Sequence, residues 1–118
     1  MILADIEEKL KGIDENVYYG MVDENENIAN YDYIVFNRKS ITHSANKTSA
    51  SDRFDVHVVR ENYVPEGMDM TVISALCSLP GVKLAGGECV FSYALKPNTN
   101  TVVEIMTIPF VRARKTDV

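Results

Sequence analysis

The sequence predicts an α+β fold in which an antiparallel β-sheet carries two helices packed on one face. Two segments place apolar residues at helical spacing, whereas five others are rich in β-branched and aromatic residues. Short polar turns join consecutive strand segments, which favours antiparallel pairing. The predicted order is α-β-β-β-α-β-β, with a long β-hairpin arm, in a single domain that covers residues 1–118.

The chain begins with an amphipathic helix. Apolar residues recur at Ile2, Ile6 and Leu10 with charged residues between them, and Gly12 provides a helix stop. A short aromatic strand is predicted over residues 17–22. The polar stretch that follows is rich in asparagine and acidic residues, and it predicts a loop.

A hairpin with an unusually long polar tip is predicted next. Its strands are "YDYIVFNRK" and "RFDVHVVREN", and the second alternates Phe54, Val56 and Val58 with polar residues. Residues 39–53 contain only three aliphatic side chains. Hairpin loops are usually about 2–5 residues long, and longer ones tend to be functional or disordered. The 39–53 segment is therefore predicted to be a functional hairpin tip.

The second half of the chain predicts one helix and two further strands. The helix covers residues 69–79, with Asp69 as its cap and a Pro-Gly pair as its stop. The segments "CVFSYALK" and "TVVEIMTIPFVRAR" then predict two strands joined by a "PNTN" turn.

Both faces of the predicted sheet are apolar. Ile34 and Phe36 share one face of their strand. Tyr33 and Val35 share the opposite face. Because both helices lie on one side, the other side must meet water or a neighbouring molecule. The pattern therefore indicates association with another subunit.

Composition narrows the functional classes. The formal net charge is −5 and the pI is about 4.9, which argues against a nucleic-acid-binding surface over the whole molecule. The first residues lack the pattern of a signal peptide, and no apolar run is long enough for a membrane anchor, so we expect a cytoplasmic protein. Cys77 and Cys89 are interpreted as small core residues, and the sequence suggests no cofactor or metal.

The sequence predicts a protein that is not an enzyme, with one arrangement left open. Asp55 and His57 share a strand face, which would permit a hydrogen-bonded pair of the kind used in acid–base catalysis. A partly exposed structural histidine is far commoner. A small enzyme or binding module with its site on this face is therefore an alternative class.

Charge placement points to an interaction surface instead. Cationic side chains cluster in and around the hairpin tip at Arg38, Lys39, Lys47 and Arg53. An acidic protein with a basic protrusion suits head-to-tail contact between identical subunits, or docking on a charged partner. Charged loops that only maintain solubility are the alternative interpretation.

The order of elements and several segments resemble the tail terminator (tail-completion) proteins of long-tailed bacteriophages. The likeness is carried by "YDYIVFNR", the polar hairpin tip, "RFDVHVVREN", a helix closing on "LPGV", and "CVFSYALK". These segments cover nearly the whole chain, and they are patterns of a fold rather than catalytic signatures.

The resemblance implies a structural role in the virion neck, after assembly in the host cytoplasm. Proteins of this family form a ring, typically a hexamer, that ends the tail tube and docks the head connector, while DNA only passes through the channel. The residues that would contact neighbouring subunits or the tube are Arg38, Lys39, His43, Lys47 and Arg53. The acidic residues that would face the channel or an adjacent ring are Asp23, Glu24 and Glu26. The nearest alternative is another neck component, or a tube protein that polymerises by itself.

Overall fold

The computed structural model describes residues 2–21, 31–44 and 49–115. The helices are α1 (Ile2–Lys11) and α2 (Met68–Leu76). The strands are β1 (Val17–Tyr19), β2 (Tyr33–His43), β3 (Ser49–Glu61), β4 (Val82–Leu84), β5 (Val90–Leu95) and β6 (Val102–Lys115). The α+β class predicted from the sequence is confirmed, with β4 as an additional strand.

The strands form one mixed sheet. Their order is β1-β2-β3-β6-β4. β5 also pairs with β6, at residues 102–107, on the side of β6 that β4 occupies at residues 110–112. β1 runs parallel to β2, whereas all the other pairs are antiparallel, so the expectation of a purely antiparallel sheet is wrong. The connection from Tyr19 to Tyr33 explains the difference. Its 13 residues, 20 to 32, are enough for the chain to return to the end of the sheet where β1 began.

β4 is the strand that the sequence did not predict. Its three residues pair with residues 110–112 of β6. A three-residue segment is too short to display the alternation that identifies a strand, so its conformation depends on the partner strand. The chain enters β4 through Gly81, which has a φ of 78° and accepts a backbone hydrogen bond from β6.

Both helices contribute to the same core. Two residues of each helix are buried in one cluster, namely Ile6, Leu10, Val72 and Leu76. The sheet residues of this cluster are Ile34, Phe36, Phe54, Val56, Val58, Val82, Met106, Ile108 and Phe110. Helical spacing in the helices and period-two alternation in the strands therefore direct apolar side chains to one face of the sheet.

The ends of α2 differ from the prediction. It begins at Met68, after a left-handed glycine, so Asp69 lies within the first turn and is not the cap. It ends at Leu76, because the backbone then tightens into a turn. Cys77 is exposed rather than buried, since it lies one residue past the apolar stripe of α2. Cys89 is half-buried just before β5, where it packs against the core.

The face of the sheet opposite the helices is partly covered within the chain. Val35, Val59 and Val103 are buried there. Larger side chains flank them on adjacent strands, as Tyr33 and Ile105 do on either side of Val59. Burial of this face against another subunit stays a prediction.

The long β-hairpin arm predicted from the sequence is present, but its tip over residues 39–53 is strand over most of its length and not a long loop. β2 continues to His43 and β3 begins at Ser49. The backbone N–H of Ser44 donates to the carbonyl of Ser49 at 3.0 Å. The segment is polar because its β2 side chains are exposed from residue 38 to residue 43, and not because it lacks secondary structure.

A third strand supports this hairpin. β6 accompanies β3 as far as the pair between Lys115 and Ser49. Residues 38–43, 49–53 and 111–115 therefore form a three-stranded ribbon, which we call the arm. β3 is the central strand of the arm and pairs on both sides, whereas within the described chain no strand pairs with the outer edge of β2 over residues 38–43.

Candidate functional site

The cations predicted for the hairpin tip lie together on the arm. The cations Arg38, Lys39 and Arg53 are exposed, and so is the predicted contact residue His43. Lys47 lies outside the described residues, as do the acidic residues Asp23, Glu24 and Glu26. The arm is therefore the part of the predicted site that the structure describes.

A β-bulge concentrates positive charge at one point of the arm. Arg38 pairs with Phe54, whereas Ser40 pairs with Arg53. Lys39 is therefore the extra residue on β2. A bulge bends its strand and changes the direction of side chains, so three exposed cations leave the ribbon from a single bend.

Two further arginines join the arm from β6. Arg112 Nη1 lies 3.9 Å from Asp52 Oδ2, and Arg114 Nε lies 3.1 Å from the same oxygen. The contact of Arg114 is an ion pair without an aligned hydrogen bond. Sequence reasoning did not place these arginines at the arm, because their position depends on the register of β6 against β3. One carboxylate between two guanidinium groups leaves net positive charge.

A groove runs between the arm and α1, and we call it the arm groove. Its volume is about 380 Å³, and the arginines of the arm lie along it. Its apolar lining comes from Leu3, Ile6, Ile41 and Phe54. Arginine side chains beside apolar surface suit a partner that carries carboxylates next to apolar or aromatic groups.

β5 is the second exposed feature. All six of its side chains are exposed, including Phe91 at 47%, Tyr93 at 64% and Leu95 at 60%. β5 pairs with β6 on one side, and within the described ranges no strand pairs with its outer edge. Native sheets generally protect such an edge, because an open apolar edge pairs readily with another chain. The sequence did not reveal this, since "VFSYAL" suits a buried strand equally well.

A groove between β5 and the segment that leads into α2 carries negative charge, and we call it the β5 groove. Its volume is about 490 Å³. Its aromatic walls are Tyr63, Phe91 and Tyr93, and its carboxylates are Glu66, Asp69 and Glu104.

The carboxylates of the β5 groove influence the neighbouring ionisable groups. Glu104 Oε1 accepts a hydrogen bond from the backbone N–H of Val64 at 2.8 Å. Glu104 also interacts with the Tyr93 hydroxyl, mainly through a hydrogen bond, and this raises the pKa of Tyr93. Burial, aided by the nearby Asp69 carboxylate, raises the pKa of the Cys89 thiol. The groove therefore favours positive charge and keeps this thiol protonated at neutral pH.

His57 does not form the pair with Asp55 that would have indicated acid–base chemistry. Its Nδ1 lies 2.8 Å from Thr107 Oγ1, and its Nε2 lies 2.8 Å from Asn37 Oδ1. The amide oxygen can only accept, so Nε2 carries the proton and Nδ1 accepts from the threonine hydroxyl. Burial lowers the pKa of His57, although Asp55 opposes this effect. This histidine therefore links three strands as a neutral group.

Among residues 2–21, 31–44 and 49–115, no three or more His, Cys, Asp or Glu side chains are close enough to bind a metal ion. Neither helix of the described chain has the length and hydropathy needed to span a bilayer. Comparison of the sequence with protein-family models and with curated proteins gives no match.

Proposed function

We propose that this protein is a structural virion assembly protein that ends a phage tail tube as a ring of identical subunits. The ring would stop tube polymerisation and offer the surface that docks the head connector. The exposed basic arm is the observation that carries the proposal, and the resemblance of the sequence to tail terminator proteins gives the arm this particular role.

The energetics of the arm favour a contact with another molecule. Ordering each backbone residue costs about 1–2 kcal/mol of conformational entropy. On β2, residues 38–43 are all exposed, so they gain little stabilisation from burial in the isolated chain. An ordered but exposed ribbon with clustered charge is therefore expected where a partner supplies the missing burial.

The distribution of exposed surfaces supports assembly from identical subunits. The arm lies at one end of β6, whereas β5 and its groove lie at the other end. Two different surfaces at opposite ends suit a heterologous contact, which produces a ring when the rotation closes and a filament when it does not. A tube protein that polymerises by itself is therefore the second candidate, because an open helical assembly would use the same surfaces.

The tail tube protein and the head connector are the partners in this proposal, with DNA passing through the channel. Electron microscopy of particles produced with and without this gene tests it directly. Overlong tail tubes, or tails that do not join heads, are expected when the gene is absent, and a plasmid-borne copy should restore normal particles. Tails of normal length joined to filled heads in its absence would refute the proposal.

Electron microscopy of the purified protein separates the two candidates. A terminator is expected to give closed rings or unassembled subunits, because its assembly stops after one layer. Long tubes formed by the purified protein would identify the tube protein instead.

A further inference from the structure

The two grooves of this molecule carry opposite charge. The arm exposes Arg38, Lys39 and Arg53 around its bulge. The β5 groove presents the carboxylates of Glu66, which is exposed, and of Glu104, which is half-buried. Opposite charges on separate surfaces favour contact between two copies and disfavour contact between like surfaces.

The uncharged parts of the two surfaces are also complementary. Ile41 is 46% exposed among the cations of the arm. Tyr63 and Tyr93 are 71% and 64% exposed in the β5 groove. Aromatic faces bind guanidinium groups as well as aliphatic side chains. An arm with arginines around one isoleucine therefore fits a groove with tyrosines among carboxylates.

The arm cannot occupy the β5 groove of its own molecule. Glu104 lines that groove, Arg114 lies on the arm, and both belong to β6. Ten residues of extended strand separate them by about 33 Å. β6 is paired with β3 along this whole distance, so the chain has no hinge there. The occupant must come from another molecule.

Open sheet edges occur at both surfaces. β1 pairs with β2 only at residues 34–36, so within the described chain no strand covers the outer edge of β2 over residues 38–43. Within the described chain, no strand pairs with the outer edge of β5 over its six residues either. Backbone hydrogen bonds between two such edges would give affinity, while the charged and aromatic side chains would give specificity.

We propose that the β5 groove receives the arm of a second copy of this chain, in a head-to-tail contact. The inference rests on the proposed function and deepens it, because it names the surface on which the arm docks. Each copy has one arm and one β5 groove. A head-to-tail dimer therefore keeps one free arm and one free groove, and each of these can bind a further copy. Closure of the rotation then gives a ring.

Charge reversal tests this contact. The variants are Arg53→Glu on the arm, Glu66→Arg in the β5 groove, and the double variant, because both residues are exposed. The matched controls are Lys9→Glu and Glu8→Arg, which are exposed on α1 and belong to neither surface. Sedimentation velocity up to about 1 mM protein measures assembly, and circular dichroism verifies that each variant is folded.

Each single reversal is expected to weaken assembly by about tenfold or more, while the controls assemble like the wild type. The double variant is expected to recover assembly, because it restores opposite charges at the same contact. Recovery distinguishes a direct contact from a general effect of net charge, since the double variant has the net charge of the wild type.

Three results would overturn the contact. The first is single variants that assemble like the controls, and the second is a double variant that does not recover. The third is a wild-type chain that stays monomeric over the whole concentration range. A dimer that none of the reversals affects would indicate that β5 of one molecule pairs with β5 of another. This outcome is a case of the first result and also overturns the contact. The proposed function is judged separately, by the tail length of particles that lack the gene.

Discussion

Truncation of Phe110 to alanine tests whether the aromatic layer at the base of the arm holds the sheet together. Phe110 is fully buried on β6, and its direct partner across the ladder is Phe54 on β3. The two rings are stacked, with centroids 5.3 Å apart and an interplanar angle of 13°. They form the last buried layer of this ladder before the charged pair of Asp52 and Arg112.

The structure sets the size of the expected loss. Removing a buried phenylalanine side chain costs about 3–5 kcal/mol, and the complete burial of Phe110 favours the upper half of this range. A stacked pair contributes about 0.5–1.5 kcal/mol beyond burial. Domains are typically stable by about 5–15 kcal/mol, so Phe110→Ala should leave only a small margin.

Urea unfolding followed by far-UV circular dichroism measures this loss. The control is Phe91→Ala on β5, which should cost less than about 1 kcal/mol because that ring is 47% exposed. A double-mutant cycle with leucine at positions 54 and 110 should give a coupling of about 0.5–1.5 kcal/mol. A loss below about 2 kcal/mol for Phe110→Ala, or one equal to that of the control, would refute the reasoning.

Three further predictions concern pH, an ion pair and a turn. Burial lowers the pKa of His57 below 6.5, so the folded chain binds fewer protons than the unfolded chain. The free energy of unfolding should therefore fall as the pH drops below about 6.5, and His57→Gln should reduce this slope in urea titrations; an equal slope would contradict the assignment. The guanidinium of Arg60 lies 2.8 Å from the carboxylate of Asp14, with side chains only 13% and 10% exposed. Arg60→Ala should cost about 3 kcal/mol in the same unfolding assay, whereas a loss below about 1 kcal/mol would mean that water replaces the pair. A Cβ at Gly81 would lie 2.9 Å from a carbonyl oxygen of β6, but one at Gly86 would meet nothing within 4 Å. Both glycines have positive φ, so each alanine substitution costs about 1–2 kcal/mol of stability. Gly81→Ala should lower the thermal midpoint of unfolding more than Gly86→Ala does, because only Gly81 has the close contact. Equal shifts of the midpoint in the two variants would exclude an effect of that contact.

The features that could be predicted from the sequence are those with a local pattern. The spacing of Ile6 and Leu10 predicts α1, and the alternation through Val56 and Val58 predicts β3 with its buried face. The "PNTN" turn is present, with Asn98 at a φ of 63°. Each of these depends on interactions between residues that are close in sequence.

The features that could not be predicted depend on partners distant in sequence. The cationic cluster of the arm includes Arg112 and Arg114 only because of the register of β6 against β3. The open edge of β5 is a matter of strand order, since the same residues at the centre of a sheet would be buried. The strands of the arm are longer than predicted, because the polar residues of the hairpin tip were interpreted as a loop. An exposed β-ribbon also consists of polar residues, so polarity does not distinguish the two.

The continuous pairing of β6 with β3 has a mechanical consequence. The arm and the β5 groove lie at the two ends of one strand, so a pull between neighbouring subunits would act along β6. Thirteen residue pairs join β6 to β3, and a force parallel to the strands loads all of them together instead of opening them one by one. If copies associate through these two surfaces, tension passes through the most extensive ladder of the fold. The contact between subunits would then separate before the subunit itself unfolds.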